Sequence, residues 1–209
     1  YRTIAIDSDG LRLEGWDFLT PAPRRGRIVY LHGISDNRQS GLGLAERFVP
    51  RGFDVLLLDQ RAHGRSGGDT CSYGVFERRD VTRVIEALRA QRVILFGSSL
   101  GAAVALQAAP DDPRIAAVIA QSPFSDLPTV VRDRTPWFVS HRFATAALVR
   151  AGELGGFTPA AASPLVAAAR IRVPVLLIHG TDDRETPAAH SRRLALVLGG
   201  PHRLLLVSQ

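Results

Sequence analysis

Apolar and polar residues alternate from Ile4 to Ile6 and again from Leu11 to Phe18, on either side of Ser8-Asp9-Gly10. A period of two broken by Asp-Gly predicts a β-hairpin. Later runs do not alternate. Arg27 to Leu31, Asp54 to Leu58, Arg92 to Phe96, Ile115 to Ala120, Val173 to Ile178 and Arg203 to Val207 are apolar almost throughout. All are read as strands, and the continuous apolar character of Asp54 to Leu58 predicts burial on both faces, as in a parallel sheet covered by helices, with Arg92 to Phe96 another buried strand. Helical spacing fills the gaps: Asn37 to Phe48, closed by Pro50 and Gly52; Val75 to Ala90, with Val81, Val84, Ile85 and Leu88 on one side; Ser99 to Ala109, ended by Pro110 and Pro113; and Pro187 to Leu198. Strands alternating with helices at this spacing predict a doubly wound, mostly parallel α/β sheet, with the hairpin adding antiparallel strands at one edge.

One stretch departs from the pattern. Residues 123–170 hold several prolines, Trp137, Phe138, Phe143 and Phe157, and no clear strand. They read as a small helical excursion over the sheet edge, too short to be a domain, so residues 1–209 are expected to form one domain. The three aromatics Trp137, Phe138 and Phe143 suit two roles equally, an apolar acyl pocket or the packed underside of a helix.

Composition narrows the class. Apolar residues make up 45% and charged residues 22%, ordinary for a water-soluble globular chain. No apolar run is long enough to span a bilayer, and no signal segment opens the chain. Tyr1 is not a natural start, so an upstream leader or anchor could attach the protein to a membrane. The net charge of +6 rests on arginine alone, since the chain has no lysine. These arginines are scattered among acids without a basic run, which argues against a nucleic-acid partner. A single cysteine, Cys71, excludes an internal disulfide and fits a reducing compartment, so a cytoplasmic location is expected.

Gly97-Ser98-Ser99-Leu100-Gly101 carries the chemistry. It follows a buried strand directly and opens a helix. The glycines allow a sharp turn and close packing, and the turn lifts the Ser99 hydroxyl over the sheet end at a helix N-terminus. Ser98 precedes the apex and is the poorer candidate. Stabilising a developing oxyanion takes two backbone N–H groups. One is expected from Leu100, the other from Ile34 in the loop His32-Gly33-Ile34 after an earlier strand. His32 is expected to order that loop. The acid that follows such a nucleophile ends a later strand. Asp183 in His179-Gly180-Thr181-Asp182-Asp183 is the choice, Asp182 the runner-up and Asp126 a distant third. A helix cap ahead of Pro187 is the alternative role for Asp182 or Asp183. Cys71 lies in a Gly/Ser/Asp-rich loop and is not read as a nucleophile.

Together these motifs resemble the α/β-hydrolase family, nearest its esterase and serine-aminopeptidase-like branches. Leu31-His32-Gly33 resembles the oxyanion loop. Asp59-Gln60-Arg61-Ala62-His63-Gly64-Arg65-Ser66 resembles the D-x-R-G-H-G-x-S turn, with Ala62 in place of the usual glycine. Gly97 to Gly101 resembles the nucleophile elbow. His179 to Pro187 resembles the H-G-x-x-D-x-x-x-P stretch, which puts the acid on Asp183. Tyr73-Gly74-Val75-Phe76-Glu77 with Asp80 resembles a bacterial membrane-associated subgroup without a large lid. The resemblance implies an α/β-hydrolase fold and a serine hydrolase that cleaves carboxylic esters through an acyl-enzyme on Ser99. Its substrate would be a small-molecule ester or related acyl compound, and no metal or organic cofactor is implied. A thioesterase or small-peptide hydrolase would use the same apparatus, and a non-catalytic binding protein could share the fold.

The general base is a histidine C-terminal to the acid in such enzymes. Only His190 and His202 follow Asp183 here. His190 falls inside a helix. His202 precedes the last strand, which at about 3.3 Å per residue sets it about 20 Å from the carboxyl end, whereas a base must come within about 3 Å of its proton. His63 and His141 precede the acid and read as structural. The expectation is that the catalytic histidine lies beyond Gln209, outside this chain.

Overall fold

The N-terminal hairpin forms as β1 (Arg2–Ser8) and β2 (Leu11–Phe18), joined through Asp9 and Gly10 at φ 53° and 86°. Positive φ at both central residues is the turn that matches the twist of paired strands. The computed structural model describes residues 1–208. Six further strands follow: β3 (Gly26–Leu31), β4 (Phe53–Leu58), β5 (Val93–Ser98), β6 (Ile115–Gln121), β7 (Val175–Gly180) and β8 (His202–Val207). They make an eight-stranded sheet in the order β1-β2-β4-β3-β5-β6-β7-β8. β1 and β2 are antiparallel, β2 meets β4 antiparallel, and every later pairing is parallel. This is the doubly wound, mostly parallel sheet that the pattern of apolar runs predicts, and the α/β-hydrolase fold that the motif resemblance implies.

Helices cover the two faces unequally. One layer packs the helices α2 (Glu77–Ala87), α3 (Leu100–Ala108), α6 (Pro164–Ala168) and α7 (Ala189–Val197) over a core of Leu31, Leu56, Leu58, Leu95, Leu106, Ile115 and Leu177. The opposite core is smaller, with Ile28, Tyr30, Val55 and Leu57 under Ala45 of α1 (Leu42–Phe48). Val55 to Leu58 are buried on both sides of the sheet. Every residue of α3 is buried, so its small side chains let it sit close against the sheet.

The excursion holds α4 (Leu127–Arg134), α5 (His141–Gly155) and α6. Asp126 caps α4 by accepting from the Thr129 amide at 2.8 Å, and Ser140 caps α5 through the Phe143 amide at 3.2 Å. Only Gly152 of α5 is buried. Both roles expected for the aromatics fail on burial. Trp137, Phe138 and Phe143 are 95%, 72% and 68% exposed, so they neither underlie a helix nor enclose a pocket. The apolar cavity of the excursion, about 310 Å³, is lined instead by Pro128, Val131, Ala144, Leu148, Val149 and Pro159. Among the described residues, no helix is long and apolar enough to cross a membrane.

Candidate active site

Ser99 occupies the apex between β5 and α3 with φ 49° and ψ −109°, a conformation that L-residues rarely adopt. Such strain costs of order 1–3 kcal/mol and survives only when its surroundings fix it. Here they do. The Ser99 amide donates to the Gln121 carbonyl at 2.8 Å, and the Gly101 amide donates to the His32 carbonyl at 3.0 Å. The Ser99 carbonyl accepts from the Ala103 amide at 3.1 Å, which starts the helix. Both motif glycines are sterically required. A Cβ at Gly97 would strike the Gly101 carbonyl, and one at Gly101 would strike the Leu31 carbonyl. The turn thus joins the end of β5 to the ends of β3 and β6.

The loop after β3 lies against this apex: a Cβ at Gly33 would stand 3.6 Å from that of Ser99. His32 is fully buried and ties the loop down. Its Nδ1–H donates to the Gly33 carbonyl at 2.7 Å, and its Nε2 accepts from the Gln60 amide at 3.1 Å. The Gln60 side-chain amide returns a bond to the His32 carbonyl at 2.7 Å. Burial pushes the His32 pKa down, which keeps the ring in this neutral form. Among the described residues, neither the Ile34 nor the Leu100 amide donates to a protein acceptor. Leu100 follows Ser99 directly, and Ile34 follows Gly33, the loop residue that lies against Ser99.

Asp59 braces the same loop from behind. Its carboxylate accepts the Arg38 amide at 2.7 Å and the Arg65 amide at 2.8 Å. Ala62, in the position of the usual glycine, takes the left-handed φ of 59°. Glu77 and Asp80 also prove to be braces. Glu77 accepts from the Ser72 amide, the Ser72 hydroxyl and the Gly74 amide, while Asp80 receives the Arg61 guanidinium fork and the Ser8 hydroxyl. Burial and the neighbouring Glu77 push the Cys71 thiol up to about 12, so it stays protonated near neutral pH.

Asp183 lies on the loop after β7. Its Oδ1 accepts from the Glu185 amide at 3.0 Å and the Thr186 amide at 2.8 Å. Oδ2 is 3.6 Å from His179 Nε2, but that nitrogen is bonded to the Thr186 carbonyl at 2.6 Å, so the contact is a neighbour rather than an ion pair. Asp182 is exposed. A cleft of about 470 Å³ opens between Gln121, Ser122, His179, Asp183 and Val207. Gln121 belongs to both regions, since its carbonyl holds the Ser99 amide. Ser98, Gln121 and Ile178 pair across neighbouring strands, so the Ser99 turn and the Asp183 loop leave the sheet two strand spacings apart, about 10 Å.

The histidines are distributed as follows. His190 is fully buried in α7, with Nδ1 accepting from the Ser125 amide at 3.1 Å and Nε2 3.2 Å from Asp133. Ser125 Oγ lies 2.9 Å from that Nδ1 and donates to Asp126 Oδ2 at 2.9 Å, while His190 Nε2 makes no hydrogen bond among the described residues, so Ser125, His190 and Asp133 only outline a serine–histidine–aspartate arrangement. Ser125 has no exposed surface and its own amide occupies the imidazole lone pair, so the trio is a structural strut. His202 pairs with Val175 at the end of the sheet opposite Gly180 and Val207. His63 Nδ1 is engaged by the Arg61 carbonyl at 2.8 Å, and His141 opens α5. Asp126 is a cap. Gln60 and Gln121, which bond the His32 loop and the Ser99 amide, carry no local sequence signal, because each acts through a contact distant in the chain.

Comparison with known proteins agrees with this fold. The family described as serine aminopeptidase, S33, matches residues 22–156. The chain is 29% identical to the uncharacterized protein YqkD of Bacillus subtilis over 94% of its length and 68% of that protein's. It is 31% identical to the uncharacterized protein Rv2307c of Mycobacterium tuberculosis, over 99% and 70% of the two lengths. Among solved structures it superposes on an esterase of Pyrococcus furiosus with TM-score 0.77 and 22% identity, covering 100% of this chain and 81% of that one. A monoacylglycerol lipase of Paleococcus ferrophilus gives TM-score 0.76 and 26% identity, over 94% and 88%.

Proposed function

The chain belongs to the serine aminopeptidase (S33) family of α/β hydrolases, and from that premise we propose that it hydrolyses carboxylic esters of small molecules through an acyl-enzyme on Ser99. The observation that carries the proposal is the strained Ser99 apex, flanked by the free amides of Ile34 and Leu100. In this reading the Ser99 hydroxyl attacks the ester carbonyl. The two amides receive the charge that develops on its oxygen. The alcohol leaves, and water then attacks the acyl-serine to return the enzyme.

Proton transfer needs an imidazole between Ser99 and an acid. We assign the acid to Asp183, whose loop leaves the sheet about 10 Å from the Ser99 turn, a gap that one imidazole bonded on both sides would bridge. We assign the base to a histidine in the sequence that follows β8. That strand runs parallel to β7 and delivers the chain at Val207, on the rim of the cleft that Asp183 also lines. His32 and His179 have both ring nitrogens engaged and His190 is buried, which supports placing the base elsewhere.

The test is turnover of short-chain aryl esters by the full-length protein and its Ser99→Ala variant. Loss of a nucleophile of this kind costs about 10⁴ to 10⁶ in kcat. Unchanged turnover in a folded Ser99→Ala protein removes the proposal.

A further inference from the structure

Arg134 is the last residue of α4, yet its guanidinium is spent on the loop that carries Asp183. Nε donates to the Glu185 carbonyl at 2.7 Å, and Nη2 donates to the Thr186 hydroxyl at 3.0 Å. These are the two residues whose amides hold Asp183 Oδ1. Thr186 is buried and its carbonyl is fixed by His179. A planar guanidinium presents two donors at fixed spacing, which suits two adjacent acceptors in a way that a lysine ammonium does not.

The other end of this link is firm. Beside Arg134, Asp133 lies 3.2 Å from the buried His190 Nε2, a close approach without hydrogen-bond geometry. The start of α4 is held by its Asp126 cap and by the Leu127 amide, which donates to the Ala162 carbonyl at 3.0 Å. The acid loop has looser ties of its own. Asp183 donates its amide to Gly180 at a long 3.4 Å, and the neighbouring Asp182, Arg184 and Glu185 are exposed.

We propose that Arg134 is a positioning residue for Asp183: the excursion helix clasps Glu185 and Thr186, and their amides aim the carboxylate. The proposal rests on the assignment of Asp183 as the acid. Through the clasp, the excursion holds part of the catalytic apparatus in register as well as covering the sheet edge.

The experiment uses the full-length protein with Arg134→Ala, Arg134→Lys and, as a control, Arg132→Ala, an arginine of the same helix that bonds neither Glu185 nor Thr186. Hydrogen exchange at the Glu185 and Thr186 amides reads the clasp whether or not the chemistry is understood. In Arg134→Ala it should quicken about tenfold, with exchange in the central strands unchanged. For a short ester, kcat should fall about tenfold or more with KM within about twofold, since only transition-state support is lost. Arg134→Lys should recover part of that loss, and Arg132→Ala should show none. On an Asp183→Asn background, Arg134→Ala should cost less than about twofold more, because the two residues act as one unit.

Unchanged exchange at Glu185 and Thr186 overturns the clasp. Faster exchange with unaltered kcat, or a full additive loss on the Asp183→Asn background, overturns the positioning role. Full activity in Asp183→Asn alone defeats the acid assignment instead, and this proposal with it, while the exchange result still reports whether the clasp exists.

Discussion

The amide of Gly101 donates to the carbonyl of His32 at 3.0 Å, locking the turn that carries Ser99 to the loop that carries Ile34. The bond forms because Gly101 has no side chain to hold the helix away from the end of β3. Gly101→Ala should therefore force α3 outward and cost about 3 kcal/mol, the upper part of the usual range for overpacking. Denaturant unfolding measures this directly. A loss below about 0.5 kcal/mol, the level of an ordinary surface change, would show that the approach is not needed.

Asp183→Asn should cost far more activity than Asp182→Asn. Asp183 lines the cleft and is held by two amides, whereas Asp182 is exposed. A neutral amide cannot stabilise an imidazolium, and that loss reaches about 10⁴ in kcat in a comparable triad. Side-by-side kcat values decide the point. If Asp182→Asn is the more damaging change, the acid is misassigned.

The strands could be read in the sequence because a buried parallel strand has no polar face to interrupt it, as Val55 to Leu58 show, but burial on both faces did not extend to β5 and β7, which bury alternate residues, or to β8, which is largely exposed. The boundaries shifted where turns consume residues. The helix expected from Val75 begins at Glu77, since Ser72, Gly74 and Glu77 form a hydrogen-bonded turn ahead of it. Ser99 likewise stands outside α3, in a backbone region closed to a helix. The glycines around Ser99 could be read because a close backbone approach demands them at fixed spacing. Arg134 could not: it works on a loop 51 residues away, and nothing local distinguishes it from Arg132. The excursion was least legible. Its helix α5 buries only Gly152, so burial imposed no readable stripe.

Ala62 holds φ 59° where its loop turns back beneath His32. Left-handed backbone costs an L-residue about 1–2 kcal/mol, and glycine escapes this at the expense of more chain entropy on folding. Ala62→Gly should thus stabilise the fold by about 0.5–1 kcal/mol, seen as a higher Tm. A lower Tm would mean that the methyl group contributes packing worth more than the strain.

Stability should fall as the medium is acidified below about pH 6.5. Burial lowers the folded pKa of His32 and of His190, the latter despite the nearby Asp133 and Asp126 carboxylates. The unfolded chain then binds protons at the ordinary imidazole value of about 6.5 while the folded one does not. The stability these rings contribute is complete above that pH and is lost between it and the lower folded values. Asp112 and Asp126 are also held below their ordinary carboxylate value, so their share is lost only in a separate, more acidic window. His190→Gln, compared with the parent at pH 7.5 and 5.0 in denaturant, should show the smaller change. Equal slopes would remove His190 from the account.

The most direct test of the nucleophile is covalent capture. The full-length protein is treated with a fluorophosphonate, digested, and the modified residue located by fragmentation mass spectrometry. The account predicts one adduct, on Ser99 within the segment from Val93 to Arg114, and none in Ser99→Ala. An adduct on Ser98 or Ser125, or an unlabelled Ser99 in folded protein, would contradict it.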